Sequence, residues 1–134
     1  MLSDITTGNA PVDARDFSNW FIGDIKKWSE ENRTSFAPEL FRLRDNSDIE
    51  FRWGVCKKDE ERSGGWAHCS NCTAISILIR GHIIFKFRNP ENSHEFARYE
   101  LKSEGDYIIW KEDIEHWWKT KEDSTILTVR WISA

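Results

Sequence analysis

No stretch of the sequence approaches the ~18 consecutive apolar residues that cross a bilayer as a helix. Its longest largely apolar runs, residues 74–79 and 83–85, are strand-sized. Residues 1–16 contain acids, polar residues, a glycine and a proline, without the continuous apolar core of ~7–15 residues found in a signal peptide. Positive charge is not in excess either: 19 Lys and Arg stand against 23 Asp and Glu, a net charge of −4. Nucleic acid and anionic membrane are therefore not expected as partners. Cysteine is sparse and odd in number, at Cys56, Cys69 and Cys72. A small secreted domain built on disulfides usually carries an even set, so a reducing cytoplasm is the expected compartment. There is no G-x-S-x-G elbow for nucleophilic hydrolysis. Gly64-Gly65 precedes a strand-like segment rather than a helix, so it is not a phosphate loop.

Aromatic residues are what the chain has in quantity: eight Trp and eight Phe among 134 residues. They supply enough apolar area to exclude disorder and to build a packed core. The length suits one domain, with 1–15 as a loose lead-in and 16–134 as the folded unit. Phe17, Trp20, Phe21, Ile25 and Trp28 recur at helical spacing and predict a short amphipathic helix, capped by Asp16 or Ser18. From residue 40 the period falls to two. Ile49, Phe51, Trp53 and Val55 alternate with Glu50, Arg52 and Gly54, the pattern of a strand with its apolar face buried. Residues 73–80 and 82–88 are β-rich runs about Gly81 and predict a hairpin. Further strands are expected at 96–101, 107–110, 116–120 and 125–131, between turn-forming clusters. This rhythm of short strands is that of an all-β barrel or sandwich.

The segments 64–81 and 105–120 carry a family resemblance. Gly105 and His116 fit the second motif of the cupin superfamily, with Lys111, Asp113 and Thr120 at its Pro, Gly and Asn positions. Anchoring the first motif on Gly81 puts His68 on its first His, with Ser70 and Ala74 in place of its second His and its Glu. The chain resembles small single-domain cupin-like proteins, some of which carry the label signal peptidase I; that activity is not expected, since no stretch of these 134 residues has the length and apolarity of a membrane anchor. The resemblance, which covers about residues 40–132, implies a jelly-roll β-barrel, and the spacing adds the short N-terminal amphipathic helix before it. It also implies a metal held by three His and a Glu, of which only His68 and His116 have counterparts here. Cys69 and Cys72 have the C-x2-C spacing that zinc favours, but without a second ligand pair beyond these two histidines. A complete metal site is therefore not expected.

Strand alternation then places side chains. With His68 and His116 inward, Trp66, Ser70, Ser76 and Trp118 also face the barrel interior, while Trp117 faces out. Trp66, His68, Ser70, Ser76, His116 and Trp118 thus form the expected ligand site, a concave apolar pocket with a few polar groups. Indole faces suit sugar rings, planar heterocycles or cations. The leading expectation is a small-molecule-binding protein, with a carbohydrate-like molecule among its candidate ligands. Two alternatives stand beside it: a metal-dependent cupin oxygenase or isomerase using His68 and His116, and a dimeric interaction protein with a filled barrel. Trp117 on the outer face also predicts a homodimer.

Overall fold

The structure, a computed structural model, describes residues 9–15, 19–23, 48–68, 71–111 and 114–132. A short helix, α1 (Ala10–Ala14), starts at Asn9, whose side chain accepts from the Val12 amide at 3.1 Å. Eight strands follow: β1 (Trp20–Ile22), β2 (Ile49–Cys56), β3 (Cys72–Arg80), β4 (Ile83–Asn89), β5 (Asn92–Leu101), β6 (Tyr107–Lys111), β7 (Glu115–Thr120) and β8 (Ser124–Ile132). They form a five-stranded sheet in the order β1-β2-β8-β3-β6 and a three-stranded sheet in the order β5-β4-β7. All their pairings are antiparallel.

Three sequence expectations are corrected. Trp20, Phe21 and Ile22 do not lie on a helix; they form β1, which pairs with β2. The flanking Asp16, Phe17, Ser18, Ile25 and Trp28 lie outside the described residues. An aromatic-rich run reads equally as helix or strand over a few residues, and the free edge of β2 decides in favour of the strand. The hairpin about Gly81 does not form either. β3 pairs with β6 and β8, β4 pairs with β5 and β7, so Gly81 is the corner where the chain crosses from one sheet to the other. Its φ of +105° and its close approach to Ser124 and Asp123 explain why glycine stands there.

The third correction matters most for function. In β2 the inward face is Glu50, Arg52, Gly54 and Cys56, not the apolar set: Glu50 and Gly54 are buried while Val55 is 59% exposed. Alternation distinguishes two faces of a strand without saying which one meets the interior. Here the outward apolar face has a partial cover, with Phe21 of β1 against Phe51 at 6.0 Å between ring centroids. The inward polar face is left to the barrel.

The core lies between the sheets and gathers Ala74, Leu78, Ile83, Phe85, Phe87, Leu101, Trp110 and Ile126. Trp110 is its aromatic centre, 5.8 Å from Phe85 and 5.6 Å from Phe87. Side chains on the inner face of the larger sheet line up in rungs across neighbouring strands. One rung runs Trp20, Arg52, Thr128, Ser76 and Ile108; the next runs Glu50, Arg130, Ala74 and Trp110.

Candidate functional site

A cavity of about 220 Å³ lies beside this core. The larger sheet contributes Trp20, Arg52, Gly54, Cys56, Ser76, Trp110, Ile126, Thr128 and Arg130; the smaller contributes Ile83, Phe85, His116 and Trp118. Arg62 enters from the loop between β2 and β3. It is held by backbone hydrogen bonding to Trp118 O at 3.0 Å, and its Nη1 donates to Ser63 O at 2.9 Å and Gly65 O at 2.8 Å.

Of the residues expected from sequence, the structure brings Ser76, His116 and Trp118 together on the cavity wall. Ser76 and Thr128, opposite each other in register, share a buried hydroxyl hydrogen bond of 2.7 Å. Trp66 and His68 do not line the cavity. Ala67 pairs its backbone with His116, at 3.0 and 2.7 Å, but His68 is exposed and Trp66 lies under the Arg88 guanidinium, 4.4 Å from the ring centroid. Among the described residues this bridge does not continue as a strand, so the alternation assumed for residues 66–68 has no ladder to enforce it. Ser70 lies outside the described residues, as does Cys69. Trp117, on the opposite face of β7 from His116, has the Lys86 ammonium 5.1 Å from its ring.

The sequence reading missed Trp20, Arg52, Arg62, Trp110 and Arg130. The usable signal was in β2 and β8, where Arg52 and Arg130 interrupt strands otherwise rich in β-formers. Arg52 and Arg130 stand on adjacent rungs, and the Trp20 indole meets both guanidiniums, at 5.6 and 5.0 Å from its centroid. Such contacts favour a cation over an aromatic face. Arg130 also meets the buried Glu50, at 3.7 Å. Burial lowers the pKa of both arginines, yet a guanidinium stays charged at any ordinary pH.

The remaining ionisable groups are held neutral. His116 is 4% exposed, and its pKa falls to about 3 through burial, then through the charges of Arg130 and Arg62. The Cys56 thiol is pushed up to about 11 by burial and by the neighbouring Glu60 carboxylate, so it is no thiolate nucleophile. Cys72 is disulfide-bonded, and in that state it offers no thiolate to a metal; Cys56 is free.

The metal implied by the cupin resemblance does not fit this wall. Near His116 the cavity presents Arg52, Arg62 and Arg130, whose charges oppose a divalent cation. Among the described residues no group of three His, Cys, Asp or Glu side chains is placed to hold a metal ion.

Two antiparallel sheets facing across an aromatic core, with the chain crossing between them at Gly81, define the cupin-fold β-barrel. Solved structures agree on the fold. A cupin superfamily protein from Desulfitobacterium hafniense superposes with a TM-score of 0.54 at 12% identity, over 75% of each chain. KdgF from Halomonas sp. gives 0.53 at 12% identity, over 66% of this chain and 74% of its own. A protein from Photorhabdus luminescens gives 0.50 at 23% identity, over 64% of each. No protein-family model matches the sequence, and no curated protein matches it. Among the described residues no helix is long and apolar enough to cross a membrane.

Proposed function

We propose that this cupin-fold chain binds a small organic molecule in the cavity between its sheets. The carrying observation is the cavity wall itself. Trp20, Trp110 and Trp118 bring three indoles to it, beside the hydroxyls of Ser76 and Thr128 and the buried imidazole of His116. The volume corresponds to about seven waters at ~30 Å³ each, which suits a ligand of one small ring. The indoles would hold such a ring, saccharide or heterocycle, by its faces.

The metal-dependent enzyme receives less support, because its two histidines differ in setting: His116 is buried among guanidiniums and His68 is exposed. A filled barrel is less consistent with a cavity of about 220 Å³ between the sheets. The test is a small-molecule panel read by Trp fluorescence and melting temperature. A compound class should perturb both, with Trp118→Ala folded but at least tenfold weaker in binding. A panel that changes neither signal overturns the reading.

A further inference from the structure

The cavity's donors outnumber its acceptors. Arg52 Nε, Arg130 Nε and Trp110 Nε1 can only donate, and none meets an acceptor among the described residues. The fourth unpartnered atom, His116 Nδ1, belongs to a neutral imidazole and can take either role. The hydroxyls on the wall, Ser76 and Thr128, already bond each other. With the guanidiniums on the wall able only to donate, a molecule that binds there must bring acceptor oxygens.

Charge points the same way. Three guanidiniums face the cavity: Arg52, Arg62 and Arg130. The carboxylates acting on them are Glu50, 3.7 Å from Arg130, and Glu60, whose field reaches Arg52. Among the described residues the wall carries more positive than negative charge. Holding unneutralised guanidiniums in a partly buried wall is costly, and residues that simply filled a barrel would not be arginine. The fold concentrates this charge deliberately: the inverted facing of β2 turns Arg52 inward, and the rungs place it next to Arg130 across β8.

We infer that the ligand carries a carboxylate, seated between the guanidiniums of Arg52 and Arg130 with its carbon skeleton against the indoles. The planar, two-oxygen carboxylate matches the guanidinium fork. A cationic ligand is disfavoured by the three guanidiniums on the wall, two of which already lie over Trp20. This assignment rests on the small-molecule reading, and its test separates the two.

The probes are sodium acetate, acetamide, sodium phosphate and sodium chloride at matched ionic strength, followed by the Arg Nε–H resonances of ¹⁵N-labelled protein. Two shape-matched pairs, nicotinate with nicotinamide and glucuronate with glucuronamide, are followed by Trp fluorescence. Acetate should shift the Arg52 and Arg130 signals saturably, where chloride and acetamide do not. Each acid should bind better than its amide by about ten- to a hundredfold, the worth of a charged hydrogen bond. Arg52→Gln should erase that preference. Arg130→Gln should do the same, and Arg52→Gln carries the test if loss of the Glu50 partner unfolds the Arg130 variant. Acids and amides binding equally would overturn the carboxylate and leave the pocket standing. Phosphate saturating where acetate does not would overturn it in favour of a phosphoryl group. Failure of every probe would overturn both readings.

Discussion

The neutrality of His116 has a consequence for stability that can be worked out before any ligand is known. In the folded chain its pKa is about 3, lowered first by burial and then by Arg130 and Arg62. Unfolded, the same imidazole returns to about 6.5. Above pH 7 both states are neutral and the group adds no pH dependence. As the pH falls below 6.5 the unfolded chain takes up a proton that the folded chain refuses, so stability drops by about 1.4 kcal/mol per pH unit until the folded pKa is reached. Between pH 7 and pH 5 the loss comes to about 2 kcal/mol. Glu100 and Asp106 also have lowered pKa values, Glu100 chiefly through its bond to His82 and Asp106 through the Lys102 and Ser103 amides. Their contributions disappear only in the more acidic range where carboxylates protonate, so among the described groups with shifted pKa values the window above pH 5 belongs to His116. The assay is urea unfolding of the wild type and His116→Gln at pH 7, 6 and 5. The wild type should lose about 2 kcal/mol more than the variant across that span. Parallel profiles, or a His116 ring that titrates near 6.5 by NMR, would refute the argument that this imidazole is desolvated among guanidiniums.

Other substitutions probe the frame and the wall. Gly81→Ala puts a Cβ at φ +105°, overlapping Ser124 Oγ and 2.6 Å from Asp123 O, and should cost about 2–4 kcal/mol in denaturant unfolding. A tolerated alanine there would mean the corner is not this tight. Trp110→Ala, in the core, should cost about 3–5 kcal/mol, and Trp118→Ala, on the cavity wall, clearly less; equal losses would argue that Trp118 is core filler. Ser76→Ala strands the Thr128 hydroxyl and should cost about 1–3 kcal/mol, most of it recovered on adding Thr128→Val. Additive losses in that double variant would show the pair is not coupled. The homodimer expected from Trp117 is checked by light scattering at tens of micromolar. A monomer, or a Trp117→Ala variant that dimerises equally, would rule that face out.

Where a signal is local, the sequence carried it. The two-residue period from Ile49 onward reports on the chain's own pleat, and so the strands containing Phe85, Trp110, His116 and Leu127 were legible. The positions of Ser76, His116 and Trp118 on one wall followed from the same alternation once the barrel was supposed. The hairpin at Gly81 failed because a glycine between two strand-like runs marks a reversal of direction without saying which strands will pair. Trp66 and His68 failed because alternation holds only where a ladder imposes it, and the single Ala67–His116 bridge does not.

The sequence by itself determined that the chain is a β-barrel rich in indoles, with His116 inside it, because strand period and aromatic content need no partner to be read. Tertiary structure alone decided which face of β2 meets the interior, since that depends on what covers the other side. By turning Arg52 inward beside Arg130, with Trp20 from a strand some thirty residues earlier in the chain against both, it made the cavity basic where the resemblance to cupins had implied a metal. Charges this far apart in sequence become one site only when the rungs of the sheet bring them together.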